Sequence, residues 1–187
     1  MPENSKKSKS PSAEKHRAQS PQTVRCFVLT VSDTRTLETD EGGALLVSLL
    51  ESAGHVVVNR QVVKDSAGAI ESTVRAAVYH RDEPEAIIVT GGSGIGPCDV
   101  TPEALRPLLT KELPGFGEIF RMLSWQEIGG AAMLSRAFAG LLGRTLLFAL
   151  PGSPHAIQLA MDKLILPELG HLVREVRPER SRADASK

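Results

Sequence analysis

Three short runs of mostly apolar residues recur at a spacing of roughly thirty residues: Arg25–Val31 (RCFVLTV), His55–Val63 (HVVVNRQVV) and Ala86–Thr90 (AIIVT). The first and third suit strands buried on both faces of a sheet, and the valine-rich second reads as a further strand. The stretches between them have the other periodicity. Residues 40–53 carry Ala44, Leu45, Val47, Leu49 and Leu50, and residues 67–80 carry Ile70, Val74, Ala77 and Val78. Both spacings predict helices, and Gly54 stands where a glycine closes a helix. Strand–helix–strand alternation implies βαβ units, a parallel sheet and, through right-handed crossovers, helices on both faces. The expected fold class is therefore α/β.

The second half of the chain modifies that plan. Residues 101–110 open as Thr101-Pro102-Glu103, which predicts a helix with an N-cap, a proline at N1 and an acid in the first turn. A further helix is expected over 115–124. Phe138–Leu142 and Thr145–Leu150 are apolar segments separated by Gly143-Arg144, which predicts a hairpin and so one antiparallel strand in a mostly parallel sheet. Ser153-Pro154 begins the last helical region, which Pro167 should kink or divide.

A length of 187 residues favours one domain with tails. Residues 1–22, rich in Ser, Lys, Pro and Gln, read as a disordered basic tail, 23–173 as the domain and 174–187 as a flexible C-terminal tail. The net charge of zero conceals an asymmetry. The first tail holds five Lys/Arg against two Glu and the last holds five against three acids, leaving 12 basic and 17 acidic groups in the body. An acidic body argues against a nucleic-acid surface. No apolar run approaches the ~20 residues that span a bilayer, and the N-terminal lysines precede no signal-like apolar stretch. Cys26 and Cys98 form no framework or zinc spacing, which suits a reducing, cytoplasmic setting.

The candidate chemistry gathers at the expected carboxyl ends of the strands, where ligands of open parallel sheets bind. Gly91, Gly92, Gly94 and Gly96 follow the third strand at once. Such a loop can aim backbone N–H groups at a phosphate or can be simply a tight turn. It is neither a Walker loop nor a GxGxxG motif. Asp99 follows it. A carboxylate beside a phosphate loop needs a cation, and Mg²⁺ takes one or two carboxylates plus phosphate oxygens; alternatively Asp99 braces the loop. Asp65 ends the second strand and reads either as a partner of Asp99 or as a helix-start acid. Ser32-Asp33 ends the first strand. Pro151-Gly152-Ser153 leads into a helix, as an anion site or as a rigid turn with a serine cap. His55, His80, His155 and His171 have no visible catalytic partner and read as surface or packing residues.

Seven stretches in order then carry a resemblance. They are TVSDTRTLETDEGG from Thr30, VVKD from Val62, TGGSGIG from Thr90, DVTPEA from Asp99, PGFGEIFRMLS from Pro114, EIGGAAMLSRAFAG from Glu127 and FALPGSP from Phe148. Together they resemble the molybdenum cofactor biosynthesis protein B family, related to molybdopterin adenylyltransferase, over roughly residues 24–173. The resemblance implies a three-layer αβα sandwich, a homo-oligomer (trimer or hexamer), and transfer of AMP from Mg-ATP to molybdopterin with release of pyrophosphate. It implies Asp65 and Asp99 as catalytic and Mg²⁺-binding positions, and Gly91, Gly92, Ser93 and Gly94 as the phosphate cradle. Ser135, Arg136, Pro151, Gly152 and Ser153 would serve the pterin-phosphate pocket. Ser32, Asp33, Thr101, Glu103, Gly117 and Glu118 complete the expected binding set. Molybdopterin, ATP and other proteins of the pathway are the implied partners. One departure stands out: the family's arginine before the aspartate is Cys98 here, while Ser93 in place of threonine keeps the hydroxyl.

Overall fold

The three apolar runs enter one sheet: the first and third lie inside it, while the second, only partly buried, forms an edge. The computed structural model describes residues 20–79, 83–177 and 179. Its strands are β1 (Arg25–Val31), β2 (Val56–Val63), β3 (Ala86–Thr90), β4 (Lys111–Glu112), β5 (Phe138–Leu142) and β6 (Thr145–Leu150). They lie in the order β2-β1-β3-β6-β5-β4. Pairings among β2, β1, β3 and β6 are parallel, and β5 runs antiparallel to both β6 and β4. The predicted hairpin joins β5 to β6. Gly143 takes φ +60° while no non-glycine residue has positive φ, so the two-residue turn has the II′ pattern with glycine first.

Successive residues of a strand face opposite layers. In β1, Cys26 and Val28 enter one core, and Phe27, Leu29 and Val31 enter the other. Helices α1 (Glu41–Ser52), α4 (Pro114–Ile128), α5 (Pro154–Ala160) and α6 (Leu166–Val176) cover the first face, with Leu46, Leu50, Phe120, Ile157 and Leu169 in that core. Helices α2 (Ala67–Val78) and α3 (Thr101–Leu105) cover the second, with Ile70, Val74 and Leu105 buried there. Full burial of each such aliphatic side chain contributes about 1.5–3 kcal/mol. The αβα sandwich is thus realised, and no helix among the described residues is long and apolar enough to cross a membrane.

Several local expectations are corrected. Thr101 is not the cap of α3: Val100 is, and the Thr101 hydroxyl instead donates to Gly91 O at 2.9 Å. The buried carbonyl at the end of β3 needs a partner, and this hydroxyl supplies it. The α-helix stops at Leu105 and continues as a 3₁₀ turn over Arg106–Leu108, because Pro107 has no N–H to offer the carbonyl of Glu103. Helix α4 runs on past 124 to Ile128, ending at Gly129 (φ +60°) before a 3₁₀ stretch, Gly129–Leu134. Outward-facing Met122, Trp125 and Ile128 had blurred its period. The two-residue β4, Lys-Glu, carries no apolar signal. The last helical region divides ahead of Pro167: a wider π turn over Met161–Ile165 lets Pro167 begin α6, where its missing N–H matters least.

Order extends beyond the expected domain bounds at both ends. Buried Arg177 donates to Glu83 at 2.6 Å and to Arg144 O at 3.0 Å. The Pro21 carbonyl packs on Gly170. The remainder of both expected tails, 1–19 with 178 and 180–187, lies outside the described residues, as does His80.

Thr30 is level with Thr90, and Thr90 with Leu150. Val31 is level with Val63. The segments beginning at Ser32, Lys64, Gly91 and Pro151 therefore leave one edge of the sheet. From β1 the chain crosses to β2 on one side, whereas β3 leads to the other, so the edge contains a topological switch point.

Candidate functional site

The turn after β3 needs glycine twice. At Gly91 (φ +96°) a Cβ would lie 2.2 Å from Val31 O, and at Gly92 (φ +58°) it would lie 2.5 Å from Thr101 Oγ1 and 2.6 Å from Asp65 Oδ2. The loop is laced to the end of β6. Gly91 N donates to Leu150 O at 3.1 Å, the Ser93 hydroxyl to the same oxygen at 3.3 Å, and the Thr90 hydroxyl to Pro151 O at 3.0 Å. The N–H groups of Gly92, Ser93 and Gly94 find no acceptor among the described residues. Ser93 is buried, and donors left free in such a place call for a partner.

These three residues border a cleft of about 410 Å³, closed by Pro151, Gly152 and Ser153 on one side. Phe120, Ile128, Ala132, Leu134 and Ala156 make its apolar wall. Among its lining residues Asp99 carries the one formal charge, and none is Lys or Arg. A mostly apolar wall with a few convergent polar groups is the usual make-up of a small-molecule site of this size.

Carboxylates stand beside the loop. Asp65 Oδ1 accepts from Val100 N at 3.3 Å, and Asp65 N donates to Asp33 Oδ1 at 3.2 Å. Burial raises the Asp65 pKa, the Val100 N–H opposes it, and the charges of Asp99 and Asp33 raise it further. Asp99 Oδ2 accepts from Gly96 N at 2.7 Å and Asp99 N donates to Gly96 O at 3.1 Å, closing the loop tip. Among the described residues no group of three or more His, Cys, Asp or Glu could hold a metal ion. Asp65 and Asp99, two carboxylates beside the glycine loop, do fit Mg²⁺ completed by phosphate oxygens.

The other expected residues are distributed around this centre. Ser135 lines the cleft, and its hydroxyl accepts from Ala137 N at 3.3 Å. Ser153 lines it too, and caps α5 by accepting from Ala156 N at 3.2 Å. Ser32 accepts from Thr34 N and Arg35 N, closing the turn after β1. With Asp33 it lines a separate recess of about 400 Å³ that also carries Arg35, Arg60 and Lys64. Glu103 is exposed and ion-paired with Arg136. The Arg136 guanidinium also donates to Gly94 O at 2.7 Å and Asp99 O at 2.8 Å. Gly117 and Glu118 do not line the cleft: Gly117 packs against Ala137 O, and Glu118 is exposed.

Sequence reasoning missed the apolar wall, because nothing local says which α4 residues face the glycine loop. It also missed Asp40, the cap of α1, which accepts from Thr30 Oγ1 at 2.7 Å and from Arg60 Nη2 at 2.9 Å and so anchors the loop after β1. An aspartate just before a Glu-Gly-Gly helix start was the available signal.

Comparison with known proteins identifies the family. A family described as a "probable molybdopterin binding domain" matches residues 27–171. Molybdenum cofactor biosynthesis protein B of Bacillus subtilis (strain 168) is 51% identical over 170 residues, covering 90% of this chain and 99% of that protein. A crystal structure of a molybdenum cofactor biosynthesis protein B is similar at TM-score 0.82 and 50% identity, covering 84% of this chain and 98% of the other. The tungsten cofactor synthesizing protein MoaB from Pyrococcus furiosus is similar at TM-score 0.72 and 34% identity, over 84% and 99% of the two chains. The chain belongs to this family of molybdopterin-binding domains, among relatives named molybdenum cofactor biosynthesis protein B.

Proposed function

We propose that this chain works in molybdenum cofactor biosynthesis, in the cytoplasm, and adenylylates molybdopterin. A terminal phosphate oxygen of molybdopterin attacks the α-phosphorus of ATP. The new P–O bond forms as the bond from the α-phosphorus to the bridging oxygen breaks, and pyrophosphate leaves. The observation that carries this reading is the set of acceptor-free N–H groups at Gly92, Ser93 and Gly94, on a cleft with one apolar wall and two carboxylates beside it.

Placement supports the following roles. The glycine-loop N–H groups hold phosphate, while the apolar wall with Ser135, Pro151, Gly152 and Ser153 receives the pterin. Asp65 and Asp99 would hold Mg²⁺, which when bound offsets the charge of two meeting phosphate chains. Ser32 and Asp33 stand on the nucleotide side, where Asp33 orients the backbone of Asp65. The nucleophile is already anionic, so alignment and charge compensation suffice and no strong base is needed. Incubation with fresh molybdopterin and Mg-ATP should yield adenylyl-molybdopterin and pyrophosphate in equal amounts. No product, under conditions where an active relative turns over, would overturn the reading.

A second reading is favoured by a specific absence of charge. Exposed Cys98 stands where the resemblance leads one to expect arginine, and no Lys or Arg lines the cleft. On that reading the chain binds and carries molybdopterin without adenylylating it. Tight pterin binding with no measurable ATP binding would select it.

Self-association also has a suitable surface. Ile119, Met122, Trp125 and Met133 are 45–78% exposed along and beyond α4. Large apolar groups clustered on one face mark an interaction site, here for further copies of this chain in a closed homo-oligomer.

A further inference from the structure

We infer that Arg136 is a positioning residue, which holds the glycine loop from behind and acts on the reaction only through Gly92–Gly94 and Asp99. The inference rests on the reading of that loop as a phosphate cradle. Each guanidinium nitrogen of Arg136 is already engaged. Nε donates to Gly94 O at 2.7 Å, Nη2 to Asp99 O at 2.8 Å, and Nη1 pairs with the Glu103 carboxylate. Arg136 does not line the cleft. It lines a recess of about 420 Å³ with Pro102, Arg106 and Arg121. A fork spent on two carbonyls and a carboxylate outside the cleft has little left for a phosphate inside it.

The loop needs such a brace because of what Asp99 has to do. Residues 93–98 form neither helix nor strand, and the tip is closed by the Asp99 carboxylate on Gly96 N. A carboxylate that turns to a cation releases that N–H. Arg136 grips the chain on both sides of the tip, at Gly94 and Asp99, through main-chain oxygens that the turning side chain leaves in place. The contacts cross 42 and 37 residues of sequence, so they tie the loop to the strap leading into β5. Lysine carries the charge but not the fork, so it cannot span the two carbonyls.

The test compares the full chain with Arg136→Lys, Arg136→Gln and Glu103→Gln. Amide exchange is followed by NMR without ligand at Gly96, Asp99 and Thr101, whose N–H groups are hydrogen-bonded within the loop. Both Arg136 variants should exchange there about tenfold faster or more, as expected for loss of charge-assisted hydrogen bonds, with unchanged exchange in β1 and β3. Adenylylation should lose at least about tenfold in kcat, alike in Lys and Gln. The salt dependence of Mg-pyrophosphate binding should stay as in the parent chain, because no phosphate contact has been removed. Glu103→Gln, which keeps the guanidinium on its carbonyls, should show a smaller change in the same direction and serves if the Arg136 variants do not fold.

Normal loop exchange with lost activity, or a Lys variant that stays active with a weaker salt dependence, would make Arg136 a direct phosphate ligand and overturn the inference. Faster exchange with unchanged kcat would overturn it equally. If the parent chain itself forms no adenylyl-molybdopterin, the adenylylation reading falls; the exchange and Mg-pyrophosphate arms still decide whether Arg136 sets the loop.

Discussion

Gly92→Ala separates two demands that the glycine loop makes at one residue. The first is backbone: φ is +58°, where an alanine costs about 1–2 kcal/mol. The second is space: the new Cβ would sit 2.5 Å from Thr101 Oγ1 and 2.6 and 2.8 Å from the Asp65 carboxylate oxygens. Neither neighbour yields freely. Thr101 is fully buried with its hydroxyl on Gly91 O and its N–H on Gly92 O, and Asp65 accepts from Val100 N. Overpacking against such groups adds about 1–3 kcal/mol. Gly54→Ala is the matched control, since Gly54 has φ +84° with nothing within 4 Å of an added Cβ. Urea unfolding of both variants should place Gly92→Ala about 1–3 kcal/mol below Gly54→Ala, with equal m-values. Adding Asp65→Ala to Gly92→Ala should restore part of the loss, so that the pair is less than additive. Equal destabilisation by the two alanines would refute the close approach of Gly92, Asp65 and Thr101 on which the site rests.

Asp65→Asn should reveal the cost of the raised carboxyl. The native chain keeps the Asp65 proton to higher pH than the unfolded chain, whose ordinary value is 3.8. Ionisation therefore costs stability that is absent below about pH 3.8 and grows as pH rises through the native pKa. The variant should resist urea better than the parent at pH 7 and equally at pH 3; a constant difference would refute the assignment. Cys98→Arg should tighten Mg-ATP binding by up to about tenfold at low salt if the missing arginine limits nucleotide affinity, and unchanged calorimetric affinity would exclude that explanation. Trp125→Glu should lower the mass seen by light scattering while preserving the melting profile of the monomer, and an unchanged assembly would move the interface away from α4.

Local pattern carried much of the architecture. The bounds of β1, β3, β5 and β6 can be read from apolar runs and from Gly143-Arg144, because strand burial and turn chemistry act over a few residues. The common edge of Asp33, Asp65 and Asp99 was also legible, since βαβ units place every strand's carboxyl end on one side. The ends of α3 and α4 were less so. A proline at 107 and outward-facing apolar residues on α4 broke the periodicity on which the expectation relied.

The identity of the loop partners was not local at all. Ser93 reads as a ligand hydroxyl in the sequence, yet it donates to Leu150 O, 57 residues away, because β6 lies beside β3 in the sheet. The resemblance implies Arg136 in the pterin-phosphate pocket, yet its fork is taken by Gly94, Asp99 and Glu103. By itself the sequence determined the layers, the edge and the residue types that meet there, because periodicity and handedness are properties of short segments. The tertiary structure alone decided which donors are consumed in holding the loop and which N–H groups remain for a ligand, because hydrogen-bond partners in a packed interior are chosen by strand order and by contacts distant in sequence.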